Sequence, residues 1–159
     1  MNVINNPSQT DTKRGEVTYP AVAALISAGV LPFENALLKV VTNSGVAQFS
    51  LPTGKADHAY YIASQFDIPS GLVSGEIPST NENARYKAYG TGNAGDLIIL
   101  ADPTANSGAQ AGMVRSTTGS HAPVSSDGTF TIIGIAEEIF IDGQDVKVRF
   151  LGGLQTVTF

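Results

Sequence analysis

The sequence predicts an all-β protein, on three observations. Short apolar or alternating runs recur along most of its 159 residues, separated by Gly, Pro, Asn and Asp. Only one segment reads as a helix, and no repeat of fixed period is present, which argues against a solenoid or a propeller.

The expected strands are 37–41, 46–51, 59–65, 85–89, 97–101, 112–117, 130–140, 146–151 and 155–159. Asn43-Ser44-Gly45 and Asp142-Gly143 supply residues that tolerate the positive φ of tight hairpin turns. In 146–150, Val146, Val148 and Phe150 alternate with Lys147 and Arg149, which gives that strand one apolar and one charged face. Its partner is apolar from Phe130 to Ile141 and is expected to be central and covered on both faces. Glu137 and Glu138 interrupt it, and a bulge there would turn them outward, opposite Lys147 or Arg149.

The helix is expected from Ala21 to Ala28, between Pro20 and Gly29. Residues 1–20 are polar and aperiodic and read as an N-terminal arm that orders only on binding, which leaves 21–159 as a single β-rich domain. Two stretches, 67–84 and 102–112, read as long irregular loops. The apolar side chains Leu25, Ile26, Leu31 and Phe33 exceed what a short helix beside a small core would cover, and are expected at a subunit interface.

Charged residues make up 14% of the chain, against about 25% in typical soluble proteins. The 42 Ser, Thr, Asn and Gln residues must therefore cover much of the surface, and such a surface is easily desolvated against a partner. The net charge of −5 disfavours nucleic acid as a partner. No run approaches the roughly 18 apolar residues of a membrane span. With no cysteine, thiolate chemistry and disulfides are excluded.

Motifs for catalysis and cofactors are weak. Gly90-Thr-Gly-Asn-Ala-Gly95 spells the dinucleotide fingerprint, but the following Leu97-Ile-Ile-Leu100 reads as a strand rather than the helix that would meet a pyrophosphate, so a glycine-rich turn is expected. His58 and His121 are read as solvated loop residues, although Asp57 beside His58 has the chemistry to orient it. Arg85-Tyr-Lys-Ala-Tyr89 interleaves bases and aromatics but reads as a half-buried strand. Neither catalytic residues, metal ligands nor a cofactor are expected.

The segments Gly95–Leu100, Gly112–Arg115, Ile133–Glu137 and Asp142–Phe150 together resemble the head-decoration (cement) proteins of tailed bacteriophages, over residues 90–152. The resemblance implies a compact β-tulip or β-barrel-like domain that trimerises, sits on the outer capsid surface and bridges major capsid subunits. It also implies a virion location after synthesis in the host cytoplasm. The arm would carry the capsid contacts, through Asn2, Val3, Ile4, Asn5, Pro7, Val17 and Tyr19. An alternative reading is a head-fibre or tail-spike module that stacks host glycans on Tyr60, Tyr61, Tyr86 and Tyr89.

Overall fold

The computed structural model describes residues 15–23, 34–67, 69–153 and 155–159. Within them the chain is almost wholly β. The strands are β1 (Gly15–Pro20), β2 (Leu37–Asn43), β3 (Val46–Ser50), β4 (Tyr61–Asp67), β5 (Leu72–Ile77), β6 (Asn83–Lys87), β7 (Leu97–Leu100), β8 (Val114–Ser116), β9 (Thr129–Ala136), β10 (Asp145–Phe150) and β11 (Thr156–Thr158). All nine expected strands are present. The β2–β3 hairpin turns through Ser44 and Gly45, both at positive φ (50° and 80°), as its Asn-Ser-Gly sequence requires.

Two sheets form, each curling until its end strands meet. The first has the order β1-β5-β4-β2-β3, and Ala21, just past β1, closes it by a parallel bridge to Phe49 of β3. The second has the order β6-β10-β9-β7-β8, with β11 on β9, and closes by a parallel bridge from Ala88 to Val114. The all-β, barrel-like expectation is met.

Neighbouring residues of β2 and β4 serve different cores. Leu38 and Ala63 enter the first barrel beside Phe49 and Val73, whereas Leu37 and Ile62, paired across the two strands, join the second-barrel core of Tyr86, Ile98, Leu100, Val114, Ile133 and Val148. Period-two alternation makes this possible: one strand pair lines one barrel and covers the side of the other. Phe49 fills the first barrel, its ring centroid 5.1 Å from those of Tyr19 and Tyr61.

Two of the sequence expectations change, and a third is left mostly outside the described residues. The 67–84 stretch contains β5 and the start of β6 rather than one loop. Gly75 disguised the strand, and packing explains it, since a Cβ there would lie 3.0 Å from the Phe49 ring. The arm boundary at residue 20 also moves. Residues 15–20 pair with β5 from Gly15↔Ile77 to Pro20↔Leu72, and Val17 and Tyr19 pack half-buried on the first core, because their alternation matches the barrel interior. Residues 24–28 of the expected helix 21–28 lie outside the described residues, while Ala21 belongs to the barrel closure.

β9 is central and largely buried, as its composition implied, but it ends at Ala136 rather than continuing to Phe140. Phe130 lies beneath Lys55 and Arg115, whose charged groups sit 5.0 and 4.6 Å from its ring centroid. Loop 51–59 fixes the outer side of the same strand. Thr131 donates its amide to the Lys55 carbonyl (2.9 Å) and its hydroxyl to the Asp57 carbonyl (2.8 Å).

Gly134 tests the packing of the second barrel. A methyl group there would run into the Arg149 carbonyl and the Val148 side chain, at the point where β9 meets β10. Gly134→Ala should therefore cost about 1–3 kcal/mol by strand separation, read as a lower urea midpoint.

Candidate interaction surface

β6 and β10 present a charged face. Their inward residues, Ala84, Tyr86, Val146 and Val148, belong to the core, and alternation turns Arg85, Lys87, Asp145, Lys147 and Arg149 outward. In register, Lys147 faces Arg85 and Asp145 faces Lys87. The chain beyond β9 supplies the acids. Glu138 Oε1 accepts from Arg85 Nη1 and from the Lys147 amide, both at 2.8 Å, while Glu137 Oε1 lies 3.0 Å from Arg149 Nε. The outward turn of both glutamates agrees with the sequence reading, and so does the pairing of Glu137 with Arg149. Glu138 instead takes the amide of Lys147 and the guanidinium of Arg85. The Lys147 amide and the Arg85 guanidinium hold the Glu138 carboxyl below its ordinary range.

The connection 137–144 is firmly anchored. Phe140 exchanges both backbone hydrogen bonds with Gly92 (3.1 and 3.2 Å), Gly143 N donates to the Ala88 carbonyl (2.9 Å), and Asp142 Oδ1 accepts from Gly90 N (2.7 Å). Phe140 is buried, its ring filling the place where a Cβ of Gly92 would stand. Alternation then forces its neighbours outward, and Ile139 is 73% and Ile141 56% exposed. These two isoleucines were expected inside a covered strand. The signal that finds them is Ile-Phe-Ile itself, since a buried Phe140 leaves both flanking residues on the opposite face.

Between the barrels, beside this face, lies a cleft of about 470 Å³ lined by Glu34, Asn35, Ile62, Arg85, Asp145 and Lys147. Asn35 Nδ2 donates to Asp145 Oδ2 across the joint at 3.0 Å.

Of the residues expected to contact a partner, two are described, and neither lies at this face. Val17 and Tyr19 line the first core, and Asn2, Val3, Ile4, Asn5, Pro7, Leu25, Ile26, Leu31 and Phe33 lie outside the described residues. The four tyrosines of the glycan reading do not share an exposed face. Tyr60 and Tyr86 are buried in the second core, Tyr61 packs against Phe49, and Tyr89 stacks on His121 at 4.4 Å.

His58 and His121 are exposed loop residues. Asp57 is not aimed at His58, because its Oδ2 accepts from Lys39 Nζ and Thr53 N (both 2.7 Å) and from Gly54 N (3.0 Å). The Gly90–Gly95 motif leads into β7 rather than into a helix. Among the described residues, no group of three or more His, Asp or Glu side chains is placed to hold a metal ion. Comparison with models of known protein families and with curated proteins finds no match to the chain.

Asp57 gives the surface loops a pH signature. Burial opposes its ionisation, but Lys39 and the Thr53 and Gly54 amides outweigh that and hold the carboxyl below its ordinary value of 3.8. A depressed folded-state value means stabilisation that is present above pH 3.8 and is lost as pH falls through the folded value. Asp57→Asn should lower the urea midpoint at neutral pH, and its difference from wild type should shrink below about pH 4. A difference unchanged by acid would refute this role.

Proposed function

We propose that the chain is a structural virion protein that binds the outer surface of a phage capsid and stabilises the shell by bridging major capsid subunits, as a homotrimer and without catalysis. The observation that carries this reading is where the resembling segments fall. They are β7, the start of β8, the second half of β9, and β10 with the turn leading into it, strands that are neighbours in the order β10-β9-β7-β8 and form most of one barrel. A set of motifs scattered over residues 90–152 thus corresponds to one folded unit rather than to unrelated loops.

The surface supports a binding role independently. Ile139 and Ile141 are held on a rigid turn, so presenting them to a partner costs little conformational entropy. The nearby Glu137 and Glu138 are matched by Arg149 and Arg85, so a partner meets apolar groups beside locally neutralised charge. The first 14 residues lead directly into β1 at one end of the first sheet, which suits an arm reaching from the barrel to the shell.

Co-sedimentation with assembled capsids and with free capsid subunits tests the proposal. Binding to the lattice should exceed binding to free subunits, because several weak contacts reinforce one another only on an assembled shell. Replacing Ile139 and Ile141 together by Asp should weaken capsid binding by about tenfold or more while leaving circular dichroism and thermal unfolding unchanged, since both side chains are exposed. Removing residues 1–14, which spares β1, should also weaken binding and leave the barrels folded. Equal binding to capsids and free subunits would argue against a lattice-bridging role.

A further inference from the structure

We propose that the cleft between the two barrels is a binding site for a small zwitterion of the amino-acid or short-peptide class. Like charges directly opposite on paired strands destabilise a sheet, yet Lys147 stands opposite Arg85. One acid, Glu138, serves Arg85 through Nη1, which also reaches the Asp145 carbonyl at 3.4 Å, and takes only the backbone amide of Lys147. Among the described residues the Lys147 ammonium has no carboxylate at ion-pairing distance, whereas Lys39, Lys55 and Lys87 each have one. Both side chains line the cleft, and among the described residues neither the Lys147 ammonium nor the Arg85 nitrogens other than Nη1 have a carboxylate partner.

The opposite charge is also present and also incompletely matched. Glu34 forms no ion pair among the described residues. Asp145 has Oδ2 engaged by Asn35, but its Oδ1 is buried without a hydrogen bond, Lys87 standing 3.9 Å away. The volume of about 470 Å³ suits a small ligand, and Ile62 lends it an apolar wall. A carboxylate between Arg85 and Lys147, joined to an ammonium near Asp145 and Glu34, would satisfy both sets at once. A simple anion would meet Asp145 and Glu34, and a simple cation would meet Arg85 and Lys147, so the cleft discriminates against each.

The test is an amide chemical-shift titration of the full chain with glycylglycine, succinate and putrescine at constant ionic strength. Glycylglycine should give saturable shifts at Asn83, Arg85 and Lys147, and the other two should not. Lys147→Gln and Glu34→Gln, both made on side chains without ion-pair partners among the described residues, should each weaken glycylglycine binding by about tenfold while the thermal transition stays unchanged. Absence of saturable shifts with glycylglycine, an equal response to succinate or putrescine, or undiminished binding by both folded variants would overturn the assignment. The readout involves no capsid, so it stands or falls separately from the capsid-binding role.

Discussion

The architecture depends on one strand pair having two apolar faces. Most strands of a small barrel show one side to a core and the other to water, but β2 and β4 send Leu38 and Ala63 into one barrel and Leu37 and Ile62 into the other. Their backbone pairing fixes both at once, because Leu37 and Ile62 are paired in register and the next residues point the opposite way. A slip of one residue would exchange the two sets and unseat both cores together. The joint is then reinforced by polar contacts: the Leu37 amide donates to the Gly112 carbonyl at 2.8 Å, and Asn35 reaches Asp145.

Scarcity of charge shapes the surface. With only 14% charged residues, the chain concentrates its ions where they organise backbone. Asp57 gathers two amides and Lys39, Asp96 accepts from the Asn93 amide and the Ser116 hydroxyl, and Glu138 ties the end of β9 to β6 and β10. Exposed ion pairs add little stability individually, so their value lies in fixing loops and in leaving a turn such as 137–144 well ordered with Ile139 and Ile141 outward.

Much of the fold was legible in the residues. Alternation in 146–150 located β10 and its faces, and Asn-Ser-Gly located a hairpin, because both depend on local chemistry. What escaped depends on distant partners. Gly75 looks like a strand breaker until Phe49 is seen filling the space a side chain would need, and β1 looks like polar tail until β5 is available to pair with it. The interaction surface was half legible. Charge alternation gave the outward faces of β10 and its glutamates, whereas the cleft joins Glu34 and Asn35 to residues more than 100 positions away in Asp145 and Lys147, which no local pattern records.

The pairing of β1 has a kinetic side. Gly15 meets Ile77, so β1, the first strand among the described residues, is completed only after the chain through β5 has been made and β5 is in place. Closing so large a loop carries an entropic cost that local hairpins such as β2–β3 avoid, which makes the hairpin an early event and the docking of β1 a late one. During synthesis β1 therefore waits unpaired while the remainder of its sheet is assembled, and its docking is also the step that lets Ala21 reach Phe49 and close the first barrel.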